Sequence, residues 1–247
     1  MNKIAVIVET RKHKALSFVL ENVMSNLPNE WRLQIFHGLN NLKYINNILE
    51  KNPFLKSIKE KIIFTSLNIE STTQEASSKI MLSETFWNSV EGETVLYFEC
   101  DSILCPNSKY KVGDFEHFDY IGGYWGNRLY TLNEKYPVVM NGGVSIRKKQ
   151  FMLDIIKNEW GPYIKNGGNP CEDYFVSACV KNRPTTRQVI TFSIDCGYIE
   201  PLEGKVPFAV HKPWGVNPSK GHGRAYNKLK QVCKEIEKLK ELQGEDV

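Results

Sequence analysis

The chain has 247 residues, of which 41% are hydrophobic, so it can bury a full-sized core in one large domain or two small ones. Its 32 basic and 28 acidic residues leave a formal net charge of +4 without a dense Lys/Arg run, which argues against a nucleic-acid partner and leaves room for a small anionic ligand. Six cysteines without a Cys-x-x-Cys pair, no apolar run near the roughly 20 residues of a membrane span, and no signal-peptide pattern together predict a soluble, cytoplasmic protein with reduced thiols.

The first half of the chain alternates short apolar runs with amphipathic stretches. Strands are predicted at residues 4–8, 32–36, 61–66 and 94–98, and helices at residues 14–25, 43–50 and 75–90. This alternation predicts an α/β domain with a mostly parallel central sheet that is flanked by helices.

The second half, beyond residue 105, is rich in glycine and is predicted to be loop-rich. Strands are predicted at residues 136–140 and 189–194, and helices directly after Arg147 and at residues 171–181. A final helix at residues 225–242 has an apolar stripe, which is typical of a helix that packs on its own domain or on the second subunit of a homodimer. We therefore predict one domain over residues 1–224 and a C-terminal helical segment over residues 225–247.

The loop after the first predicted strand, residues 9–14, contains no glycine. Dinucleotide-binding and ATP-binding loops carry glycines at this place, so the sequence excludes those motifs. A sugar-phosphate nucleotidyltransferase is also expected to have a glycine-rich basic loop here, and this loop has only the cations. Any nucleotide must therefore be held in another way, for instance through a metal ion and polar groups at the strand ends.

Two carboxylates, Glu99 and Asp101, follow the predicted strand at residues 94–98. Because side chains alternate along extended backbone, the two point to the same side and can converge on one cation. Their hard oxygens suit Mg²⁺ or Mn²⁺ at the carboxyl edge of an α/β sheet. The alternative is that Asp101 and Ser102 only begin a turn.

A second polar strand end consists of His211 and Lys212, which follow an apolar run. An imidazole would complete a mixed nitrogen and oxygen metal site, and a lysine would neutralise phosphate charge on a leaving group. The alternative is a surface turn with a solvated lysine.

Three segments, in this order, resemble GT-A glycosyltransferases. Residues 96–104 resemble the strand and D-x-D element, with Glu99 in place of the first Asp; residues 138–146 resemble the donor-sugar segment, in which Asn and small residues end a strand; and residues 211–214 are similar to the metal-binding His and Lys-Pro-Trp of glycogenin-like members. Residues 6–11, 37–38, 119–122 and 172–173 add a resemblance to an uncharacterised GT-A-like family of bacteria and large DNA viruses. The resemblance spans residues 3–215.

This resemblance implies a metal-dependent transferase that moves a sugar from a nucleotide diphosphate donor, with a UDP-sugar favoured, to a glycan or another hydroxyl acceptor. Mn²⁺ or Mg²⁺ would be held by Asp101 and His211. The implied nucleotide and donor residues are Thr10, Arg11, His37, Lys79, Glu99, Asp101, Ser102, Asn141, Gly142, Gly143 and Lys212, and the implied acceptor residues are Asp119 and Trp125. Solvated side chains at Arg11 and Lys79, a bulge or tight turn at residues 141–143 and core packing of Trp125 remain as alternatives.

The acidic pair Glu172 and Asp173 has two interpretations. Asn169, Pro170 and Glu172 match a helix start in capping-box register, which leaves Asp173 as the free carboxylate. By the resemblance, Asp173, or else Glu172, is the base that deprotonates the acceptor in an inverting transfer, whereas the glycogenin-like features favour retention. The other possibility for the whole chain is a catalytically inactive GT-A-like module that binds a nucleotide or a glycan.

Overall fold

The computed structural model describes residues 2–125, 139–196, 204–215 and 222–243. Within them, the strands form one nine-stranded sheet in the order β3-β2-β1-β4-β7-β6-β8-β9-β5. The strands are β1 Lys3–Glu9, β2 Arg32–His37, β3 Ile62–Ser66, β4 Thr94–Phe98, β5 Ser102–Leu104, β6 Tyr120–Tyr124, β7 Met140–Lys148, β8 Ser193–Asp195 and β9 Ala209–His211. The helices are α1 Leu16–Ser25, α2 Leu42–Lys51, α3 Pro53–Ser57, α4 Gln74–Met81, α5 Glu84–Ser89, α6 Lys149–Asn158, α7 Trp160–Lys165, α8 Glu172–Cys179, α9 Thr186–Phe192, α10 His222–Val232 and α11 Glu235–Leu242.

The sheet is largely parallel, as the alternation of the first half predicts. Strands β3, β2, β1 and β4 run parallel to one another, and β7 then pairs antiparallel with both β4 and β6. Residues 4–7 of β1 and 95–96 of β4 are fully buried, which is typical of central strands in a parallel sheet. Parallel order places the carboxyl ends of β1 and β4 at one edge, where open α/β sheets bind ligands.

Three predicted elements differ from the structure, two of them because of local capping. The helix predicted at residues 75–90 is two helices, α4 and α5, because Ser83 ends the first and its hydroxyl accepts the backbone N–H of Phe86. The strand predicted at residues 189–194 is mostly helix α9, because Thr185 and Gln188 form a capping box at its start. The single final helix divides into α10 and α11 around Cys233 and Lys234.

The segment 139–148 also differs from expectation. Residues 136–138 of the predicted strand lie outside the described residues, and β7 begins at Met140. Asn141, Gly142 and Gly143 therefore open a strand instead of ending one.

The C-terminal helices pack on the domain. Leu229, Cys233, Ile236 and Leu239 are buried, and α11 lies against β5. Beyond α11, the Gln243 side chain donates to the Cys100 carbonyl at 2.9 Å. The domain boundary at residue 224 and the homodimer stay predictions. Among the helices described, none combines the length and the apolar character needed to cross a membrane.

Candidate active site

A cleft of about 390 Å³ opens at the carboxyl ends of β1 and β4. Its walls come from α4, from the start of β7, from the start of α8 and from the end of β9. The polar lining includes Glu9, Arg11, His13, Thr72, Thr73, Ser77, Ser78, Tyr97, Glu99, Asp101, Asn141, Arg147, Glu172, Asp173, His211, Lys212 and Gln243, with Gly142 and Gly143 between them.

Glu99, Asp101 and His211 meet in this cleft. His211 Nε2 lies 3.2 Å from Glu99 Oε2 and 3.1 Å from Asp101 Oδ1, and one atom of each residue lies within 4.8 Å of the other two. A tight turn presents the carboxylates, because the Ser102 hydroxyl donates to the Glu99 carbonyl at 2.5 Å. Antiparallel pairing of β5 with β9 sets Ser102 opposite His211 and so brings the turn to the imidazole.

The His211 ring is enclosed on two further sides. Its Nδ1 lies 2.7 Å from Asp195 Oδ1, and Asp195 is fully buried. The other neighbour is Gly143, where an added Cβ would lie only 2.2 Å from the ring. A glycine at residue 143 is therefore required for the imidazole to occupy this position.

Lys212 is held next to the carboxylates. Its Nζ lies 3.5 Å from Asp101 Oδ2 and 3.9 Å from Glu99 Oε2, and its backbone N–H donates to the Asp101 carbonyl at 3.0 Å. The residue has a φ of 43°, an unfavourable value for a lysine that the surrounding contacts impose.

The charges of this cluster shift the pKa values of its members. Burial alone raises the pKa of Asp101, but the positive His211 and Lys212 outweigh it and bring the value below its ordinary range. Burial disfavours the His211 cation, yet the Asp101 and Asp195 carboxylates outweigh burial and raise the pKa of His211 well above its ordinary value. The pKa of Lys212 is raised in the same way by Asp101 and Glu99, against the effect of its own burial.

The donor set fits a divalent cation. Asp101 Oδ1 is buried and accepts no hydrogen bond from the residues that the structure describes. Two carboxylates and one imidazole form a mixed oxygen and nitrogen set of the kind that Mn²⁺ and Mg²⁺ accept. The sequence predicted Asp101 and His211 as ligands and Glu99 as a second carboxylate that could converge on the same cation, and the structure brings all three together.

The acidic pair at the start of α8 is not arranged as a cap. The N-cap is Cys171, whose backbone N–H donates to Asn169 Oδ1, and Glu172 instead pairs with Arg147. Arg147 is fully buried, with its guanidinium 5.3 Å from the ring centres of both Tyr97 and Tyr120. The capping-box interpretation of Glu172 is therefore wrong, because a buried cation on β7 takes its carboxylate.

Asp173 is bound to the start of β7. Its carboxylate accepts the backbone N–H of Gly142 at 2.7 Å and the Asn141 amide at 3.3 Å. Desolvation, followed by the charge of the neighbouring Glu172, raises the pKa of Asp173 well above its ordinary value. Asp173 is thus not the free carboxylate that the sequence suggests, although it does line the cleft.

Arg11 lies at another part of the cleft wall. Its Nε and Nη2 each donate at 2.9 Å to one oxygen of the buried Glu9 carboxylate, and its backbone N–H donates to Glu9 as well. The guanidinium is held in a fixed plane by this bidentate pairing, and 46% of its side chain remains exposed.

Four residues predicted for the donor lie away from the cleft surface. Thr10 is buried and contacts the Thr72 hydroxyl at 3.2 Å, and Ser102 closes the turn at Glu99. His37 is buried beside its own neighbour, Gly38, and Lys79 is exposed in an ion pair with Glu75. Thr10 and Ser102 therefore support residues that do line the cleft.

The two acceptor residues are also not among those that line this cleft. Asp119 lines a second pocket, of about 860 Å³, with Phe151, Tyr163 and Lys181. Trp125 is the last described residue before the gap at 126–138, and its indole N–H has no partner among the described residues.

Comparison with known proteins adds to this geometry. Residues 59–211 match a family described as "Protein of unknown function (DUF5672)", a span that contains Glu99, Asp101, Asp173 and His211. The chain belongs to the DUF5672 family. No curated protein matches its sequence.

Solved structures resemble this DUF5672 chain in fold. The galactosyltransferase LgtC, solved with donor and acceptor sugar analogs, aligns with a TM-score of 0.54 and 14% identity over 93% of this chain and 96% of that one. The apo-form glycosyltransferase GlyE of Streptococcus pneumoniae TIGR4 aligns with a TM-score of 0.57 and 12% identity over 98% of this chain and 63% of that one. The DUF5672 chain therefore spans less than two thirds of GlyE and has the GT-A-like fold of glycosyltransferases.

The structure of this DUF5672 chain also adds residues that the sequence did not point to. They are Glu9, Thr72, Thr73, Ser77, Ser78, Arg147, Asp195 and Gln243. Asp195 carries the same signal as Glu99, an acid at the end of an apolar strand, whereas Arg147 and the hydroxyl-bearing face of α4 have no comparable signal.

Proposed function

We propose that the chain transfers a sugar from a nucleotide diphosphate donor, with a UDP-sugar favoured, to a hydroxyl acceptor. The observation that carries this proposal is the cluster of Glu99, Asp101 and His211 inside the cleft of a GT-A-like fold. Carboxylate oxygens and an imidazole beside a lysine suit a divalent cation that accompanies a diphosphate.

Different residues of the cleft would bind the metal, the diphosphate and the nucleoside. Glu99, Asp101 and His211 would hold Mn²⁺ or Mg²⁺, which as a Lewis acid neutralises charge on the diphosphate. Lys212, 3.5 Å from Asp101, supplies a further positive charge to the departing nucleotide diphosphate. Arg11, held in plane by Glu9, offers a flat cation to the nucleoside.

Asp173 is the proposed base. It takes the proton of the acceptor hydroxyl while the acceptor oxygen bonds to the anomeric carbon, and the bond from that carbon to the diphosphate breaks with its electron pair on the nucleotide. Desolvation and the neighbouring Glu172 raise the pKa of Asp173, which favours uptake of a proton by this carboxylate. Direct attack inverts the anomeric centre, so NMR of the product should show the opposite anomer to the donor. Retention would remove Asp173 from this role.

The first test is ligand-dependent thermal stability. UDP, GDP, CMP and TDP are each measured with Mn²⁺, Mg²⁺ or EDTA, on the wild type and on Asp101→Asn. A ligand at about 100 times its Kd adds about 2.7 kcal/mol, which for this length of chain is a rise in Tm of about 5–11 °C. We expect this rise with UDP and a metal in the wild type and its loss in Asp101→Asn.

The matched control is Asp154→Asn on α6, an exposed residue outside the cleft whose carboxylate accepts, among the described residues, from Gln150 only. It lines the pocket of Asp119 and should not affect nucleotide binding in the cleft. If no nucleotide shifts the wild-type Tm with either metal, the transferase proposal is rejected. If the nucleotide binds but neither transfer nor donor hydrolysis occurs with any UDP-sugar, the chain is a nucleotide-binding module instead.

A further inference from the structure

Asp195 is a fully buried carboxylate at the end of β8. The parallel register of β8 and β9 pairs Asp195 with His211, and Asp195 Oδ1 lies 2.7 Å from His211 Nδ1. A buried carboxylate is costly unless it faces a proton donor or a cation. The imidazole nitrogen on the opposite side of the ring, Nε2, faces Glu99 and Asp101.

We propose that Asp195 is a positioning residue that makes His211 a ligand through Nε2. A neutral imidazole carries one proton, and a carboxylate at Nδ1 retains that proton there and leaves the Nε2 lone pair free. Outer carboxylate partners of this kind fix the tautomer and orientation of histidine ligands. The inference rests on the metal-dependent function proposed above.

Two contacts fix the ring together. The imidazole packs so closely against Gly143 that no Cβ would fit between them. This close contact restricts the plane of the ring. Asp195 restricts which nitrogen faces the cluster, because a flipped ring would place a ring carbon instead of Nδ1 beside the buried carboxylate oxygen, which lies 2.7 Å from Nδ1. Neither contact comes from the turn that carries Glu99 and Asp101.

The matched control is Ser193. It lies two residues before Asp195 on β8, hence on the same side of the strand, and both are fully buried. The Ser193 hydroxyl has no hydrogen-bond partner among the described residues. Ser193→Ala therefore removes a buried polar atom from the same strand without removing a contact to His211.

The test measures binding of Mn²⁺ in the absence of nucleotide. EPR titration gives the affinity, and pulsed EPR detects the ¹⁴N nucleus of a coordinated imidazole. In Asp195→Asn, the side-chain amide can donate to Nδ1 and so stabilise the tautomer that blocks Nε2. We expect Asp195→Asn to weaken Mn²⁺ binding about 10–100-fold and to lose the ¹⁴N signal, with wild-type values in Ser193→Ala.

The outcomes separate the two proposals. If the wild type and Ser193→Ala bind no Mn²⁺, the metal-dependent function itself is wrong. If the wild type shows the ¹⁴N signal, Asp101→Asn does not bind, and Asp195→Asn keeps both affinity and signal, the role of Asp195 is overturned.

A second measurement does not need the variant to fold. In wild-type protein saturated with Mg²⁺, ¹⁵N NMR of the imidazoles should show His211 protonated at Nδ1 alone. A proton on Nε2 instead would overturn the role of Asp195.

Discussion

Asp173 is a half-buried carboxyl group whose ionised form the folded protein stabilises poorly. Its two hydrogen bonds come from the start of β7, while desolvation and the nearby Glu172 raise its pKa. A raised folded-state pKa contributes stability below the unfolded pKa, and this contribution is lost as the pH rises towards the folded value. Asp173 therefore weakens the fold at neutral pH relative to a side chain that cannot ionise.

We expect Asp173→Asn to raise the Tm at pH 7–8, by about 2–4 °C for each kcal/mol of relieved penalty, and to have no such effect near pH 4. Thermal denaturation of both proteins across this pH range measures it. The contrasting variant is Glu172→Gln, which removes the partner of the buried Arg147 and should lower stability by about 3–5 kcal/mol at pH 7. An Asp173→Asn Tm below that of the wild type at pH 8 would contradict the raised pKa.

Gly143 is a second residue with a sharp prediction. A methyl group at this position must displace the His211 ring, because the added Cβ would lie 2.2 Å from it. We expect Gly143→Ala to weaken Mn²⁺ binding at least 10-fold and to lower stability by about 1–3 kcal/mol through overpacking. The control is Gly113→Ala, where no atom of the described residues, its two chain neighbours apart, lies within 4 Å of an added Cβ. Equal Mn²⁺ affinities in the two variants would show that the ring has another stable position.

Among the elements, α9 determines where Asp195 lies, because this helix runs directly into β8. The Thr185 hydroxyl accepts the Gln188 backbone N–H, and Gln188 Oε1 accepts the Thr185 N–H in return. We expect Thr185→Ala to cost about 1 kcal/mol, or about 2–4 °C in Tm, measured by thermal denaturation. Thr185→Ser, which keeps the hydroxyl, should retain most of the stability. If both variants melt like the wild type, the cap does not stabilise α9.

Which elements could be predicted depends on how local their signals are. The apolar runs of β1 and β4 have no competing interpretation, since they are short, β-branched and bounded by charges. The run at residues 189–194 is equally apolar, and periodicity cannot tell a short buried strand from a buried helix; only the capping box at Thr185 decides for the helix.

The residues of the site also differ in how local their sequence signals are. Glu99 and Asp101 could be found because acids at the end of an apolar strand mark the ligand edge of such sheets. Arg147 could not, because a cation within a strand is by default assigned to a solvated face, and its partner Glu172 is 25 residues away. Lys79 is the opposite case, because it was predicted to contact the donor and instead faces solvent in the folded chain.

For the molecule as a whole, the C-terminal helices are part of the main fold. The apolar face of α11, which includes Ile236 and Leu239, is buried within the same chain, and Gln243 reaches the cleft. We expect Leu239→Ala to lower stability by about 2–5 kcal/mol, with a Tm that does not depend on protein concentration. Melting curves at two concentrations check this, with the exposed Lys238→Ala as control. A Tm that rises with concentration would instead indicate that a second subunit covers this face.

The distance in sequence between the members of the cluster has a consequence for folding. Glu99 and His211 are 112 residues apart, and the imidazole arrives only when β9 is paired with β5 and β8. A chain that has formed only the parallel strands β1 to β4 has the two carboxylates but not the nitrogen. Binding of a divalent cation during refolding should therefore coincide with the pairing of β9. The bound metal then marks the completed sheet, and by mass action it stabilises only that state.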